Sequence, residues 1–406
     1  MSASDPPDPR NLAEGSEEGG VGVFPGAGPL RTAAVIGGGL SGFAAARALG
    51  AAGVEATVFD RGRSIGGRAS TRASRSGVAF DHGAPCFTAE SAAFRAEVDA
   101  WREAGVVAPW TGRFLRADPG GKRDQGGPPD GAPPEATPAV RWRPDAQERW
   151  VGTPTMQALT EHLAGSPGVR RGPAETEIVG VRGNPIGRGS AGPWTLADAE
   201  GRELGPFDAL VVAVAAPQAA RLLGEAAPRL ARLAERARPA GAFSVMLAFE
   251  EPLGLAPAAA DVPEGQEPAA LEAARLDRGP LSWVGREANK PGRGAGSKAE
   301  CWVLHARPTW SAPRLEAPAE EVLEPLKAAF ERLIGRPLPP TVYEAAHRWK
   351  FAHCVKPLPD ASFVSPKHRI AACGDWFGAG GVGGVEAAVL SGAHAGRTLA
   401  GASARG

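Results

Sequence analysis

Apolar residues near the start of the chain form short runs that break at glycines. Residues 33–36 are apolar and lead into a glycine cluster at 37–39. The Ala-rich stretch 40–52 has the character of a helix, which Gly53 ends because glycine readily takes the left-handed conformation that follows a helix. A second apolar stretch, 54–59, predicts another strand. This order predicts a β-α-β unit with a parallel sheet.

Later segments alternate between the same two patterns. Residues 208–214 predict a buried strand before Pro217, and 369–373 predict a strand followed by a glycine-rich turn and a helix at 385–399. Predicted strands of a more antiparallel sheet are 243–250, 281–285 and 301–306. Helices are predicted at 156–164 and 315–334, and small antiparallel strands at 176–182 and 194–199. The fold class is therefore α/β, with a doubly wound Rossmann-like domain and an α+β second lobe whose sheet is mostly antiparallel.

Three stretches rich in Gly and Pro lack this periodicity. They are the acidic segment 1–29, predicted to be a disordered tail, and two predicted flexible insertions at 117–138 and 256–279, the second with a short helix around 271–276.

The remaining segments are predicted to form two domains, each built from separate parts of the chain. The nucleotide-binding domain takes 30–90, 150–217 and 366–406, and the substrate domain takes 91–149 and 218–365. Ligand sites usually lie between such lobes.

Composition and charge exclude several classes of protein. The 406 residues include 45 Lys+Arg and 45 Asp+Glu, so the chain lacks the basic excess of a nucleic-acid binder. No run approaches the roughly 20 apolar residues of a membrane span, and the first thirty residues lack the apolar core of a signal peptide. The four cysteines form no C-x-x-C pair, and the seven histidines show no ligand spacing. We expect a cytoplasmic protein without a metal, a nucleic-acid partner or a membrane partner.

The glycine cluster matches the G-x-G-x-x-G pattern of dinucleotide sites. Gly37, Gly39 and Gly42 occupy its three positions, with Leu40 and Ser41 between them. The first glycine allows a tight turn, the second lets the backbone approach a pyrophosphate, and the third lets the helix pack on the strand. The N-terminus of the helix then directs unpaired N–H groups at the phosphates.

An acidic residue stands where such a site needs one. Asp60 ends the second strand at about the expected distance of 20 residues, where a carboxylate accepts the hydroxyls of an adenosine ribose. Arg61 begins the loop that follows, and this loop leads into Gly66-Gly67-Arg68. The glycines allow close approach of the backbone, and Arg68 offers a charged fork to a phosphate. This arrangement resembles the flavin-dependent amine oxidase superfamily, in which the G-G-R loop lies along the FAD pyrophosphate.

A second nucleotide motif lies at the far end of the chain. Gly374 and Asp375 follow a strand, and the glycine stretch 378–384 leads into a helix that begins near Gly384 and Val385. This segment resembles the closing motif of FAD oxidoreductases, which implies that Gly374 and Asp375 hold the ribityl or phosphate region. The positive end of the helix would then stabilise a reduced flavin. Non-covalent FAD is the predicted cofactor.

Further stretches from about residue 30 to 400 resemble the renalase family and its bacterial and plant-type relatives. They include Thr71 and Arg72 after the G-G-R loop, and the segment 80–88 with Asp81 and Gly83. The other matching stretches are 150–159, 282–283, 289–293 and 347–352. The chain departs from the family at Pro85-Cys86 and in the long glycine stretch 378–384. We take Thr71, Arg72, Asp81 and Gly83 as candidate cofactor residues.

The resemblance implies a reaction. Renalase relatives oxidise the 2- and 6-dihydro isomers of NAD(P), pass a hydride to FAD and then to oxygen, and release NAD(P)+ and hydrogen peroxide. Such a site must mainly stack a ring, exclude water and orient a carboxamide. His347, Arg348, Trp349 and Asn289 are the candidate substrate residues. Lys290 is either a ligand to a flavin-linked water or a substrate phosphate, or a solvated loop lysine.

Two other functions stay open. One is a flavin amine oxidase or desaturase acting on a small organic substrate, although Tyr343 is the one tyrosine and a cage of paired tyrosines cannot form. The other is an FAD-binding redox sensor without turnover. Trp283 and Trp302 are expected to pack in a sheet, and Cys373 is expected to be a small buried residue and not a covalent flavin attachment.

Overall fold

A computed structural model describes residues 29–74, 77–117, 142–183, 193–255, 270–293 and 299–403. The tail 1–28, most of the insertion 117–138 and residues 256–269 of the second insertion lie outside these described residues. Their predicted disorder and flexibility therefore stay predictions.

The described strands, in chain order, are β1 (Thr32–Ile36), β2 (Glu55–Phe59), β3 (Arg72–Ala73), β4 (Ala79–Phe80), β5 (Val107–Pro109), β6 (Arg113–Ala117), β7 (Trp142–Pro144), β8 (Trp150–Gly152), β9 (Val169–Arg171), β10 (Ile178–Arg182), β11 (Trp194–Asp198), β12 (Glu203–Phe207), β13 (Ala209–Val212), β14 (Arg238–Phe249), β15 (Leu271–Arg275), β16 (Leu281–Arg286), β17 (Glu300–Ala306), β18 (Thr341–Lys356), β19 (Phe363–Ser365) and β20 (Ile370–Ala372). The described helices are α1 (Leu40–Gly50), α2 (Ala92–Glu103), α3 (Gln157–Ala164), α4 (Ala216–Leu223), α5 (Pro228–Ala234), α6 (Pro308–Ser311), α7 (Leu323–Ile334) and α8 (Gly384–Ser403).

The first sheet has the strand order β19-β20-β13-β1-β2-β9. Its strands run parallel except β19, which is antiparallel to β20 at the edge. The predicted β-α-β unit is confirmed, with β1 paired to β2 in the register Ala33↔Ala56. Because β1 is central, almost all of its side chains are buried.

Both faces of this sheet are covered, as a doubly wound fold requires. Ala33 and Val35 pack in one core with α1 and α8, whereas Ala34 and Ile36 pack in a second core with α4 and α5. The small antiparallel sheet β10-β11-β12 adds Trp194 to the second core. Alternate residues of one strand thus face opposite layers, and the predicted α/β class is confirmed.

The second sheet has the strand order β18-β14-β17-β16-β15-β6-β7 and is antiparallel except where β15 meets β6. One face is covered by α7, whose Leu326 and Phe330 pack with Phe243 and Trp302. The other face turns toward the nucleotide-binding segments. The three predicted antiparallel strands are confirmed as parts of β14, β16 and β17.

Two sequence expectations were wrong. Residues 271–276, predicted as a short helix in a flexible insertion, contain strand β15, because pairing to β6 and β16 outweighs the helical preference of Leu, Glu and Ala. The helix predicted at 315–334 begins only at Leu323, since Pro318 takes an extended backbone and a short 3-10 turn follows it.

Some contacts cross the predicted domain boundaries. β19 extends the first sheet to Phe363, and α4 and α5 pack on that sheet although 218–365 was assigned to the substrate domain. The division into domains stays a prediction. Among the described residues no helix is long and apolar enough to cross a membrane.

Close packing of α1 on α8 depends on two glycines of α8. A methyl group at Gly392 would overlap the carbonyl oxygen of Ser41, and one at Gly396 would overlap that of Ala45. The two helices therefore approach with backbone against backbone.

We predict that Gly396→Ala lowers the free energy of unfolding by about 1–3 kcal/mol, because the added methyl overpacks this contact. Gly401→Ala on the same helix is the control, since no atom lies within 4 Å of the added methyl. The control should leave stability unchanged or raise it by up to about 1 kcal/mol through helix propensity. Urea unfolding of both variants measures the difference, and equal stability of the two would contradict the contact.

Candidate functional site

The three motif glycines serve different purposes in the structure. Gly37 has φ +114, and a methyl group there would lie 2.6 Å from the carbonyl oxygen of Ala213. A methyl group at Gly42 would overlap the carbonyl oxygen of Gly37. At Gly39 the nearest atom to an added methyl is the carbonyl oxygen of Gly66, 3.9 Å away. Close packing thus leaves no room for a side chain at Gly37 or Gly42, whereas Gly39 leaves free space in front of the N-terminus of α1.

Asp60 holds two loops beside this turn. Its Oδ2 accepts a hydrogen bond from the backbone N–H of Gly38 at 2.6 Å, and its Oδ1 accepts one from Gly62 at 2.6 Å. Asp60 is half-buried and does not line the cavity described below. Its carboxylate orders the glycine loop, and its contact with a ribose stays a prediction. Arg61 points away, 3.9 Å from Glu177, with a side chain that is 66% exposed.

Arg68 joins the two nucleotide motifs. Its guanidinium donates two hydrogen bonds to Asp375, at 2.6 and 2.7 Å, so the fork predicted to reach a phosphate faces a carboxylate. Burial lowers the pKa of Arg68, but the Asp375 carboxylate outweighs this and raises it above its ordinary value. The ion pair is neutral overall and brings together residues from opposite ends of the chain.

Two loops, one at Gly83 and one at Gly374, lie beside the ion pair of Arg68 and Asp375. A methyl group at Gly83 would overlap the carbonyl oxygen of Arg68, which also accepts a hydrogen bond from the backbone N–H of Ala84 at 2.7 Å. On the other side, Gly374 donates its N–H to Ser391 Oγ at 3.2 Å and has φ +149. These contacts hold both loops against the nucleotide motifs.

One cavity lies between the two sheets, and its empty space, including space open to solvent, is about 1130 Å³. The predicted residues that line it are Gly39, Leu40, Ser41, Gly66, Arg68, Gly83, Gly374, Asp375, Gly384, Val385 and Trp349. The residues predicted for the site that do not line it are Gly37, Gly42, Asp60, Arg61, Gly67, Thr71, Arg72, Asp81, His347, Arg348 and Asn289. The structure thus brings both nucleotide motifs and one candidate substrate residue to a single cavity.

Asp81 and Lys290 belong to a buried ionic cluster, which we define as Asp81, Glu287, Lys290 and Arg293. Lys290 Nζ lies 3.0 Å from Asp81 Oδ2 and 2.6 Å from Glu287 Oε1, and Arg293 also pairs with both carboxylates. Each of these side chains is at most 8% exposed. Lys290 is therefore not a solvated loop lysine, and Asp81 serves the cluster and not the cavity wall.

The charges of the cluster are balanced. Burial raises the pKa of Asp81, but Lys290 and Arg293 outweigh it and hold that pKa below the ordinary value. Burial also raises the pKa of Glu287, and there the cations do not fully compensate. The hydroxyl of Thr71 donates to Asp81 at 2.6 Å, and the backbone N–H of Met156 donates to it at 3.1 Å. The cluster thus anchors the loop that begins at Asp81 and continues along the cavity wall.

The remaining candidate substrate residues are dispersed. Arg348 donates to the backbone oxygens of Leu315 and Ala317, on the far side of β18. Asn289 is exposed and donates to Glu272 at 2.8 Å, so the structure does not place it near a substrate in the cavity. Trp349 lines the cavity, and its Nε1 donates to the backbone oxygen of His82 at 3.0 Å.

Imidazole rings stand behind Trp349. The His82 ring lies 5.0 Å from the Trp349 ring and 4.9 Å from the His347 ring. His347 is half-buried and does not line the cavity. Burial lowers its pKa, and the charge of Arg72 lowers it further.

Other residues of the cavity wall were missed by the sequence analysis. The second sheet supplies several of them, including Phe243, Ser282, His305, Ala306, Ala352 and His353, and the nucleotide-binding segments supply others, such as Pro85 and Val214. Alternation along β14, β16, β17 and β18 is the signal that marks one face of each strand, but the sequence does not tell which face meets the nucleotide motifs. Burial lowers the pKa of His305 to about 4 and also lowers that of His353.

The cysteines stand apart from this chemistry. Cys373 is fully buried, and its Sγ lies 3.9 Å from the backbone oxygen of Ser41. Burial raises its pKa to about 12 and that of Cys86 to about 11, so both thiols are neutral near pH 7. Neither cysteine lines the cavity. In the described part of the chain no group of three or more His, Cys, Asp or Glu residues is arranged to hold a metal ion.

The nucleotide end of the cavity fits a dinucleotide such as FAD. Ser41 lies in the first turn of α1, and its buried hydroxyl has no hydrogen-bond partner among the described residues. A phosphate oxygen bound there would accept a hydrogen bond from this hydroxyl. The space in front of Gly39 is free, and the N-terminus of α8 reaches the cavity at Gly384 and Val385. Two helix N-termini thus supply partial positive charge to one cavity.

Comparison with known proteins agrees with this architecture. Residues 35–100 match the family model of an NAD(P)-binding Rossmann-like domain. A structure from Exiguobacterium sp. 255-15, provisionally named protoporphyrinogen oxidase, has 14% identity and a TM-score of 0.63 over 91% of this chain and 98% of that one. Cyclohexylamine oxidase from Brevibacterium oxydans IH-35A has 15% identity and a TM-score of 0.61 over 92% and 99% of the two chains. An engineered putrescine oxidase has 15% identity and a TM-score of 0.60 over 93% and 99%.

These similarities establish the fold class. The chain is a two-lobed α/β protein with a Rossmann-like dinucleotide-binding domain, and it has the fold of the flavin amine oxidases.

We predict that Lys290→Met lowers the free energy of unfolding by about 3–5 kcal/mol, because it leaves two buried carboxylates facing one cation. Lys350→Met is the matched control, since Lys350 is 58% exposed and lies 4.0 Å from Glu316. The control should change stability by less than about 1 kcal/mol. Urea unfolding at neutral pH measures both, and similar losses would show that the cluster does not stabilise the fold.

Proposed function

We propose that the chain is an FAD-dependent oxidoreductase that binds its flavin non-covalently. Its substrate is a 2- or 6-dihydro isomer of NAD(P), which gives up a hydride to the flavin, and oxygen then accepts the electrons to form hydrogen peroxide. One observation carries the proposal: two nucleotide motifs from opposite ends of the chain and the face of a second sheet line the same cavity.

The residues of the cavity suit the parts of FAD. Ser41 and the N-terminus of α1 would hold the pyrophosphate beside the space kept free by Gly39. Arg68 and Asp375 would bind as a pair, with the remaining N–H groups and lone pairs turned to the cofactor. When bound, the flavin supplies an acceptor for a hydride.

The charge of the cavity wall favours an uncharged substrate ring. Among the described residues that line the cavity, Arg68 is the one arginine and Asp375 the one carboxylate, and they neutralise each other; the lowered pKa values of His305 and His353 keep both rings neutral near pH 7. Such a wall holds no free charge for an ammonium or a carboxylate group. Trp349 provides an aromatic surface on which a ring stacks. A hydride donor whose product is a stable aromatic cation needs no strong base there.

Amine oxidation is the second candidate, and the shared fold with cyclohexylamine oxidase and putrescine oxidase favours it. The cavity wall argues for the first candidate. Tyr343 stacks on Phe80 at 5.3 Å and does not line the cavity, so it builds no aromatic cage there. Cytoplasmic location and the lack of nucleic-acid or membrane partners stay predictions from the sequence.

We predict that Gly39→Val abolishes FAD retention without unfolding the protein. Gly39 has an extended backbone with φ −91, so valine is tolerated locally, but its side chain fills the space that a pyrophosphate needs. Gly180→Val is the control, because the nearest atom to the added methyl is the Ala197 Cβ at 3.6 Å. The FAD-to-protein ratio after purification and the melting temperature of the flavin-free protein measure the two effects. Normal FAD content in Gly39→Val would refute the assigned site.

The substrate is tested by anaerobic absorbance of the purified holoenzyme. Borohydride-reduced NAD, which contains the dihydro isomers, should bleach the flavin rapidly, and authentic NADH should bleach it slowly. Putrescine and cyclohexylamine are the comparison substrates. Bleaching by amines alone would establish the second candidate, and a retained flavin that no donor bleaches would indicate a protein without turnover. Protein that binds no flavin would refute both enzyme proposals.

A further inference from the structure

Three buried polar atoms in and behind the cavity wall lack partners. Within the described residues Nδ1 of His82, Oγ of Ser244 and Nε2 of His305 are buried and make no hydrogen bond. A buried polar group without a partner costs about 1–3 kcal/mol. Three such groups close together therefore indicate a bound molecule that satisfies them.

Strand register brings these groups together. Ser244 on β14 is directly opposite His305 on β17 and also directly opposite His347 on β18. Side chains opposite each other on neighbouring strands point to the same face, with Cβ atoms about 4.5–5.5 Å apart. His82 lies beside these side chains on the adjoining loop: its ring contacts the His347 ring, and its backbone is near enough to His305 to raise the pKa of that ring.

We infer that His82, Ser244 and His305 enclose an internal water molecule, and that this water links the imidazole rings into a proton relay from His347 to the cavity. An internal water typically makes about three hydrogen bonds to otherwise unsatisfied groups. Water, hydroxyl and neutral imidazole each both donate and accept a hydrogen bond, which suits such a chain.

His347 and His305 lie on either side of Ser244, and their positions suit entry of a proton at His347 and its delivery to the cavity at His305. His347 is half-buried, close enough to exposed Arg72 for that charge to lower its pKa. His305 lines the cavity at the other end. Burial lowers the pKa values of both His82 and His305 to about 4, so the two rings are neutral near pH 7 and each can take up a proton at one nitrogen and release one from the other.

The relay rests on the proposed function, which has a definite need for a proton. A dihydronicotinamide loses one hydride, and its oxidation by oxygen balances as dihydro isomer + O₂ + H⁺ → NAD(P)⁺ + H₂O₂. The substrate supplies both electrons and one hydrogen of the peroxide, so the second hydrogen comes from solvent. An amine, by contrast, can supply both hydrogens from its own C–H and N–H bonds.

The experiment separates oxygen reduction from substrate oxidation in the holoenzyme. The flavin is reduced by light and EDTA without substrate, and reoxidation by oxygen is followed in a stopped-flow spectrometer. Ser244→Ala should slow reoxidation at least about tenfold, and added imidazole buffer should restore the rate. His347→Gln is the second variant, with the same expectation. Ser311→Ala is the control, because Ser311 Oγ is also buried without a partner but does not line the cavity.

A crystal structure that resolves ordered water gives an independent readout. Wild-type protein should show a water within hydrogen-bond distance of His82, Ser244 and His305, and Ser244→Ala should lose or displace it. The relay is overturned if this water is absent from the wild type, if Ser244→Ala reoxidises at the wild-type rate, or if imidazole restores nothing. Because photoreduction needs no substrate, these results stand apart from the bleaching test. If the dihydro isomers do not bleach the flavin but the Ser244→Ala and crystallographic results support the relay, only the proposed substrate is rejected.

Discussion

The backbone contact between α1 and α8 decides where the two nucleotide motifs meet. Both helices begin at the cavity, one after the first strand of the parallel sheet and the other after the glycine stretch near the end of the chain. Gly392 and Gly396 let the backbone of α8 pack directly against the backbone and the alanine methyl groups of α1. The positive ends of both helices therefore lie at one cavity, and the bidentate pair of Arg68 and Asp375 joins the loop after β2 to the loop before α8.

Charge is distributed differently on the two sides of the loop at 81–85. Toward the cavity, the wall holds one neutral ion pair and neutral imidazoles. Behind the loop, the cluster of Asp81, Glu287, Lys290 and Arg293 places four formal charges where water is excluded. A buried ionic network tolerates little displacement, because each unpaired charge is costly. The cluster thus gives Gly83 and its neighbours a rigid base from which to face a ligand.

Most of the correct predictions came from local signals, although the local break at Pro318 was missed. The glycine turn at 37–42, the strands around it and the strand, turn and helix at 370–403 were recognisable because tight turns and helix starts restrict the residues that fit. Sequence reasoning failed where a distant partner decided the outcome. Leu271–Arg275 has the residues of a helix and is a strand, since β6 and β16 bind its edges. Lys290 has the sequence surroundings of a solvated loop and is buried between two carboxylates.

The sequence by itself determined the α/β class, the Rossmann-like opening and the strand-turn-helix segment near the end of the chain, because each is specified by neighbours within a few turns of chain. Tertiary structure alone decided which side chains share the cavity. His305 and Ser282 reach it through the face that β16 and β17 turn inward, whereas Arg348, one residue from Trp349 on β18, points to the opposite side. Alternation along a strand defines two faces, but only the packing of one sheet against another assigns a face to the ligand.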